Sequence, residues 1–367
     1  MNKKLLKRIS ITLLSLICML GIVVGGYIVY MNETYYRIED NISLDINNNQ
    51  NNILNANNEY SAVTYNIGFG AYDKDYSFFM DKGVMEDGKK VKGKFSRGTS
   101  KSKVLENTNG SINLIKSLDT DFILLQEVDI KANRSYNLNQ VKEINRKLNN
   151  YGSAFALNFH APYMIYPLNK PHGSVQAGLM TLSKYKFDSS KRISYPVDTS
   201  FVSKFFDLDR CFSSNRYKVS NGKELVIINS HMSAYDDGNI RTQQLKVLNN
   251  YISNEYSKGN YVLIGGDFNH SLNIESDTFK SKQLVPDWVQ SLTDDDLPKG
   301  FKIVNAYNNT KVATCRSADI PYKKGVNYLA VLDGFIVSDN IESSVENIDG
   351  EFEYSDHNPV KITFKLK

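Results

Sequence analysis

Side chains able to bind a metal ion or move a proton stand beside apolar runs at six places in the chain. In the stretch VLIGGDFNH at 262–270, the apolar residues lead without a break into Asp267 and Asn269. Carboxylate and amide oxygens are ligands that Mg²⁺ prefers, and a carboxylate beside a histidine fixes its tautomer and raises its pKa. Residues of these types are also common in turns. Their repetition therefore favours one shared site over a series of unrelated turns.

The other five apolar runs carry side chains of the same kinds. In chain order these are Asn66, Glu127, His231, Asp333 and the neighbouring pair Asp356 and His357. Each alone is typical of a turn or a structural position, so their joint occurrence at strand ends supports a functional interpretation. A metal ion and an imidazolium can together neutralise the charge that grows on phosphoryl oxygens. Histidines and cysteines do not cluster at zinc-like spacing, which argues against a structural zinc site.

The apolar runs predict the strands that would position these side chains. Two helices are also predicted, at 111–120 and 241–252, each with an apolar stripe. Many strands and fewer helices favour two packed sheets with helices outside, in the α/β (α+β) class. No linker-like break follows residue 59, so 59–367 is expected to form one domain. The strands are predicted at 60–67, 121–129, 224–231, 261–269, 329–338 and 359–366.

An uncharged apolar stretch at 9–30 is long enough to cross a bilayer as a helix. A cleaved signal peptide would have a shorter apolar core and a small-residue cleavage site, so a retained transmembrane anchor is expected. The basic segment 1–8 precedes it, and the positive-inside rule places this segment in the cytoplasm. The expected location is a single-pass protein of the cell membrane with its domain outside the cell. The reverse orientation is the alternative.

Asparagine dominates residues 31–58, which show no sustained period and are interpreted as a flexible linker. The basic residues of 1–8 account for the whole net charge of +4, so the remainder is formally neutral. That balance gives no strong indication of nucleic acid as a partner. Outside the anchor, Cys211 and Cys315 could pair or remain free thiols.

The same runs resemble the motifs of a known family. TYNI, LLQEV, NSHMS, GGDFN, VLDGFIVS and YSDHNPV are similar to those of the endonuclease/exonuclease/phosphatase (DNase I-like) superfamily, and they span residues 60–367. The superfamily includes DNase I-like nucleases, neutral sphingomyelinases and inositol-polyphosphate 5-phosphatases. The resemblance implies a four-layer sandwich of two mostly antiparallel sheets flanked by helices. It also implies hydrolysis of a phosphate ester with Mg²⁺, for which Mn²⁺ could substitute.

The resemblance assigns three metal ligands. Glu127 would be the principal Mg²⁺ ligand, with Asn66 and Asp356 nearby. A basic and aromatic set could contact the substrate, although a solvated loop is the alternative for each member. This set comprises Arg134, Tyr136, His172 and Arg210.

The resemblance also assigns a catalytic set. Asp267 and Asn269 would position the attacking water and the phosphate, and His357 would pair with Asp333 near the scissile phosphate. His231 would donate a hydrogen bond to a phosphate oxygen or assist the leaving group. Either Asp267 or His357 could accept the proton of the water.

Together these features favour a monomeric, membrane-tethered, extracytoplasmic phosphohydrolase that cleaves a phosphodiester more readily than a monoester. A nuclease of the DNase I type and a lipid phosphodiesterase similar to sphingomyelinase or phospholipase C are alternatives. A binding module that kept the fold without the chemistry is a further alternative. It is disfavoured because each expected catalytic position holds the expected residue type.

Overall fold

The computed structural model describes residues 3–201, 203–234 and 239–367. Its helices are α1 (Lys3–Thr34), α2 (Lys101–Ser117), α3 (Gln140–Lys147), α4 (Ser203–Phe206) and α5 (Asn239–Ser257). Its strands are β1 (Ile42–Ser43), β2 (Ile46–Asn47), β3 (Glu59–Asn66), β4 (Lys82–Val84), β5 (Lys90–Lys92), β6 (Phe122–Ala132), β7 (Gly152–Met164), β8 (Gly173–Ser183), β9 (Ser189–Ser194), β10 (Cys211–Lys218), β11 (Glu224–His231), β12 (Tyr261–Asp267), β13 (Ser271–Leu272), β14 (Ser291–Leu292), β15 (Phe301–Ile303), β16 (Cys315–Arg316), β17 (Leu329–Ala330), β18 (Asp333–Ser338), β19 (Ile341–Asn347) and β20 (Val360–Leu366).

Two seven-stranded sheets form the framework. The first sheet has the order β19-β20-β3-β6-β8-β7-β2, and the second has the order β1-β9-β10-β11-β12-β18-β15. The pair β3/β6 is parallel in the first sheet and β11/β12 is parallel in the second, while the other described pairs in both sheets are antiparallel. The carboxyl ends of the strands in the two parallel pairs lie at the same end of the molecule. The predicted architecture of two mostly antiparallel sheets is therefore confirmed.

Alternation along each central strand divides its side chains between two hydrophobic layers. In β6, Phe122 and Leu124 pack between the sheets, whereas Ile123 and Leu125 face the side covered by α2 and α3. The second sheet does the same, since its outward residues pack against Leu248 and Ile252 of α5 while its inward residues join the layer between the sheets. Burying both faces of both sheets produces the helix–sheet–sheet–helix order that the resemblance implied.

Residues 31–58 differ from the predicted flexible linker. β1 pairs with β9 of the second sheet, and β2 pairs with β7 of the first sheet. Leu54 is buried between the sheets, and Leu44 and Ile46 pack against the same cluster. The isolated hydrophobes of this segment therefore anchor it to the domain. Because each of its strands has only two residues, no periodic pattern was visible in the sequence.

Among the described residues, α1 is the one helix long and apolar enough to cross a bilayer, with a mean hydropathy of 2.4 over its most apolar window. Most of its side chains are exposed, and its contacts with the domain are made by its last turns. By length and composition the helix could be a membrane anchor or a signal sequence.

Candidate active site

Strand ends from both sheets meet around one cavity of about 1080 Å³. The carboxyl ends of the parallel strands deliver Asn66 from β3, His231 from β11 and Asp267 from β12. Asp333 begins β18 directly opposite Asp267, because these two strands run antiparallel. His357 lies a few residues before β20. The structure thus brings together residues that are nearly three hundred positions apart in the chain, as the sequence pattern predicted.

A bulge in β6 turns Glu127 toward this cavity. The pairing with β8 shifts register between Leu125 and Val128, and Glu127 has a φ of 55°, which is unusual for a residue other than glycine. Its neighbour Gln126 keeps the inward direction and donates from Nε2 to Asn229 Oδ1 of the second sheet at 2.8 Å. The extra residue therefore frees the carboxylate of Glu127 from the sheet and directs it into the site.

Asp267 is the meeting point of the two sheets. Its Oδ2 accepts a hydrogen bond from Asn66 Nδ2 at 3.1 Å. The Nε2 atoms of His231 and His357 lie 3.5 Å and 3.7 Å from the same oxygen. Gly266 precedes Asp267, and a Cβ at that position would lie 2.0 Å from the carbonyl oxygen of Ser230. Only glycine therefore allows β11 and β12 to bring the carboxylate so close to both histidines.

Asp333 and His357 form a buried pair. Asp333 Oδ2 lies 2.8 Å from His357 Nδ1. Burial by itself lowers the pKa of His357, but the carboxylates of Asp333 and Asp267 outweigh it and hold that pKa well above its ordinary value. His231 differs, because burial and the positive charge of Arg210 hold its pKa well below the ordinary value. The surroundings therefore favour the charged form of His357 and the neutral form of His231.

Asp356 lies against a glycine turn that follows β3. Gly68 has a φ of 50°, and a Cβ on it would lie 2.9 Å from the Tyr72 ring and 3.1 Å from Asp356 Oδ1. The backbone N–H of Arg316 donates to the carbonyl oxygen of Asp356 at 3.0 Å, which fixes the loop that carries this carboxylate. Arg316 was not among the predicted site residues, yet it lines the cavity and is buried.

Two carboxylates on the Glu127 side of the cavity have raised pKa values despite positive groups nearby. Burial raises the pKa of Glu127; Arg134 opposes this and the charge of Asp356 adds to it. Burial also raises the pKa of Asp356. Half-buried carboxylates beside an amide form a set of hard oxygen donors, which suits a divalent cation with several retained waters. Asn66, Glu127 and Asp356 therefore fit the metal that the resemblance implied.

A second group of possible ligands has different chemistry. Ligand atoms of Asp267, Asp333 and His357 lie within 4.8 Å of one another. Two of these atoms are already engaged with each other, in the hydrogen bond between Asp333 and His357. This group is therefore better suited to orienting a histidine than to holding a hard cation.

Arg134 is held rigidly at the cavity wall. Its Nε and Nη2 donate to the two carboxylate oxygens of Asp129 at 3.2 and 2.8 Å, and its guanidinium lies over the Phe69 ring at 3.9 Å. Its Nη1 remains 3.9 Å from Glu127 Oε2. The sequence predicted Arg134 but not Asp129, since a single acid inside a strand gives no signal of this role.

Arg210 and His172, two of the predicted substrate-binding residues, also line the cavity. Arg210 is buried, and its Nε and Nη1 atoms have no hydrogen-bond partner in the described protein, so they are available to an anion. His172 lies against the Ser96 carbonyl oxygen, and burial with the nearby charge of Arg134 lowers its pKa to about 3. A neutral His172 can accept or donate one hydrogen bond but adds no charge to the site.

Tyr136 is a correction to the predicted substrate-binding set. Its backbone is left-handed, with a φ of 57° and a ψ of 32°, and its hydroxyl donates to the carbonyl oxygen of Gly98 at 3.0 Å. The side chain is therefore tied to the loop before α2 and does not line the cavity. The aromatic loop at 69–83 supplies part of the wall instead, including Tyr72, Phe78 and Phe79.

Cys211 and Cys315 are both free thiols. The Sγ of Cys315 lies 3.6 Å from Nε2 of His357, which places this thiol in the active site rather than in a disulfide. Of the two states that the sequence left open, the structure shows the unpaired one.

Comparison with known proteins agrees with this geometry. Residues 63–301 match the model of the Endonuclease/Exonuclease/phosphatase family, which is more than half of the chain. The protein belongs to that family. A search of curated proteins found no match.

Two solved bacterial structures with TM-scores above 0.5 share the fold at low identity. The endonuclease/exonuclease/phosphatase from Beutenbergia cavernae is 13% identical, with a TM-score of 0.56, over 84% of this chain and 72% of the other. The family protein from Leptotrichia buccalis is also 13% identical, with a TM-score of 0.55, over 84% of this chain and 100% of the other. TDP2 from Caenorhabditis elegans is 16% identical over 84% of this chain and 75% of the other, with a TM-score of 0.49.

Membership of the family defines the class of reaction. Its members are metal-dependent enzymes that act on phosphate ester bonds, and this chain is accordingly a hydrolase of that class. The convergence of carboxylates, histidines and arginines in one cavity agrees with that chemistry.

Proposed function

We propose that the protein is a membrane-tethered, extracytoplasmic, Mg²⁺-dependent phosphodiesterase. The observation that carries this proposal is the separation of charge within one cavity. At Glu127 and Asp356, burial raises the carboxyl pKa despite the positive groups nearby, whereas a buried guanidinium with unpartnered nitrogens lies at Arg210. The first suits a cation and the second suits the phosphate that the cation would polarise.

Asn66, Glu127 and Asp356 would hold the ion. When bound, Mg²⁺ would act as a Lewis acid on a phosphate oxygen. Arg134, fixed by its fork with Asp129, and Arg210 would orient the phosphate from the other side. Two guanidinium groups held by burial offer directed donors without further reorganisation on substrate binding.

The chemical step consumes one water. Asp267 and Asn269 would position the water so that its oxygen attacks phosphorus. Its proton would pass to Asp267, or to His357 when that imidazole is neutral, and one P–O ester bond would break; the two groups lie 3.7 Å apart. The leaving oxygen would receive a proton in return, so that the products are an alcohol and a phosphomonoester. His231, neutral and buried, would donate a hydrogen bond to a phosphate oxygen.

The domain arrangement is part of the proposal. Residues 1–8 would lie in the cytoplasm, 9–30 would cross the membrane, and 59–367 would form a monomeric catalytic domain outside the cell. The uncharged stretch within α1 and the lysines and arginine before it support this arrangement. Protease accessibility of the domain on intact cells tests the orientation.

The test of the metal assignment uses Glu127→Gln, which removes a ligand charge at nearly constant size. Hydrolysis of bis-p-nitrophenyl phosphate by the full chain in detergent should require Mg²⁺, stop with EDTA and be lost in this variant. The matched control is Glu106→Gln, because Glu106 is an exposed residue of α2 whose partner Lys103 lies three residues away on the same helix. Full activity of Glu127→Gln at saturating Mg²⁺ would contradict the assignment.

A further inference from the structure

A group of exposed apolar side chains lies at one end of the molecule, which we call the apolar rim. It is formed by the loop between β7 and β8 and by the region of α4. In the loop, Leu168 is 79% exposed and Tyr166 is 58% exposed. The other members of the rim are Ile165, Phe201 and Phe206. Exposed apolar residues are normal when scattered, but a contiguous group marks a binding surface.

The end of α1 is attached to this rim by hydrogen bonds. The Tyr27 hydroxyl donates to the carbonyl oxygen of Tyr163 at 3.0 Å and accepts from the backbone N–H of Ile165 at 3.4 Å. The backbone N–H of Tyr163 donates to the Tyr30 hydroxyl at 3.2 Å. Three contacts therefore fix the β7–β8 loop against the last turns of α1.

The α4 region is attached to the same end of α1. Lys204 Nζ donates to Asn32 Oδ1 at 3.2 Å, and the rings of Tyr35 and Phe205 make an edge contact with centroids 5.5 Å apart. Both parts of the apolar rim thus lie beside the segment that leaves the apolar stretch of α1.

The contacts of Tyr27 and Tyr30 set the depth of the rim relative to a bilayer. These two tyrosines close the uncharged stretch 9–30. Tyrosines at such positions lie at the level of the lipid headgroups. Because the end of β7 is bonded to both hydroxyls and Ile165 is bonded to that of Tyr27, we expect Ile165 and the loop that follows it to lie near the same level.

The apolar rim adjoins the active-site cavity. Tyr166 and Phe206 of the rim line the cavity, and so do Met164 at the end of β7 and Leu208 just after α4. The side chains beside the last turns of α1 are therefore next to the wall of the active-site cavity. A ligand arriving from the membrane would pass from apolar side chains at the mouth to Arg210 and Glu127 inside.

We propose that the apolar rim rests on the outer leaflet of the bilayer that holds α1, and that the substrate is the phosphodiester of a membrane phospholipid. The inference rests on the proposed phosphodiesterase function and names its substrate class. The reaction would add one water across one P–O ester bond of the lipid, giving a phosphomonoester and an alcohol. The formally neutral composition of the chain after residue 8 agrees with a lipid rather than a nucleic-acid backbone as the substrate.

Membrane contact is tested with full-length protein in phosphatidylcholine and phosphatidylglycerol vesicles whose acyl chains are brominated near the headgroup. The variant Leu168→Trp should be quenched by the bromolipid. The matched control is Ile53→Trp, since Ile53 is also an exposed apolar residue but adjoins the β10–β11 turn, at the opposite end of β11 from His231. The signal of Trp288, the single native tryptophan, is measured in the unsubstituted protein and subtracted. Equal quenching of the two variants, or none, would overturn the membrane-facing rim.

Substrate class is tested by the ratio of two activities. The double variant Leu168→Asp/Phe201→Asp should lower hydrolysis of vesicle phospholipid by about tenfold or more, because charged groups replace two apolar contacts with the bilayer. Neither residue lines the cavity, so hydrolysis of soluble bis-p-nitrophenyl phosphate should be unchanged. An equal fall in both activities would overturn the role of the rim.

The unsubstituted protein separates the two proposals. Cleavage of the soluble ester with no release of product from phospholipid vesicles would overturn the lipid assignment and leave the phosphodiesterase proposal intact. Preferential cleavage of DNA over lipid would do the same. Failure to cleave any of the three substrates with Mg²⁺ would instead overturn the proposed function.

Discussion

Replacing Asp129 by asparagine should destabilise the domain through an arginine that the substitution leaves unpaired. Asp129 is fully buried, and its carboxylate accepts two hydrogen bonds from the Arg134 guanidinium, at 2.8 and 3.2 Å. Asparagine has nearly the same size but removes the charge and one of the two acceptor oxygens. Arg134 would then keep Glu127 as its nearest carboxylate, at 3.9 Å.

The expected cost follows from the burial of both partners. Removing one member of a buried ion pair costs about 3–5 kcal/mol because the other charge stays without compensation. The Phe69 ring 3.9 Å from the guanidinium and the remaining amide oxygen favour the lower end, about 3 kcal/mol. Removing both partners, with Asp129→Asn and Arg134→Met, leaves no uncompensated charge. The double variant should therefore lose about 2 kcal/mol less than the sum of the single variants.

The assay is urea unfolding of the full chain in detergent, followed by near-UV circular dichroism. The control is Asp188→Asn, which removes a carboxylate that faces solvent beside Lys218 at 2.9 Å and should leave the midpoint unchanged. Because Arg134 would lose its fixed orientation, Asp129→Asn should also raise KM for bis-p-nitrophenyl phosphate. The argument that Asp129 holds Arg134 would be refuted if the two single variants changed the free energy of unfolding additively. It would also be refuted if Asp129→Asn lowered the midpoint as little as the control does.

Three further predictions concern the site and its surroundings. His357→Ala should lower kcat by about two to four orders of magnitude, and an unchanged kcat would remove His357 from the reaction. The variant should also lower the unfolding midpoint, because it leaves the buried carboxylate of Asp333 without its partner. The pKa of His172 is about 3 in the folded protein and 6.5 in the unfolded chain. Between these two values the unfolded chain binds more protons, so the free energy of unfolding decreases as the pH falls below 6.5. At about pH 5 the loss in the free energy of unfolding should be about 2 kcal/mol, and His172→Gln should abolish this loss when the two proteins are compared by urea unfolding. An equal loss in both proteins would contradict the buried neutral histidine. Gly68→Ala should lower the free energy of unfolding by about 1–2 kcal/mol because of the positive φ at this position. It should also weaken Mg²⁺ binding measured by calorimetry, because the new Cβ displaces Asp356, and normal metal affinity would refute this contact.

The strands that could be predicted are those in which each face is either buried or partly open to solvent along its whole length. β11 and β12 are buried on both faces and read as continuous apolar runs, and β20 alternates because one of its faces is partly open. The helix α2 begins at Lys101 rather than near 111, because the polar first half of the helix has no apolar stripe. Its start depends on Ser100, whose side chain accepts from the N–H of Lys103, and such a cap is local chemistry that hydrophobic periodicity does not register.

The metal-ligand candidates could be predicted because their chemistry is carried by residue type at strand ends. The supporting residues could not, since their roles depend on contacts between distant segments. Arg316 shows this, because its guanidinium donates to the carbonyl oxygen of Asp73 at 2.8 Å while its N–H fixes the loop of Asp356. Tyr136 failed for the opposite reason. Its position after Glu127 was favourable, but a left-handed backbone turned its side chain away.

The short strands within residues 31–58 have a consequence for release of the domain from the membrane. β1 and β2 occupy one outer edge of each sheet. A protease that cut between residue 47 and the start of β3 would remove both, leaving β9 and β7 with unpaired backbone N–H and C=O groups. Such edges recruit strands from other molecules, so a shed domain would tend to aggregate. In the proposed arrangement, attachment to the membrane and solubility of the domain would thus depend on the same segment, and any release that preserves activity should occur before Ile42.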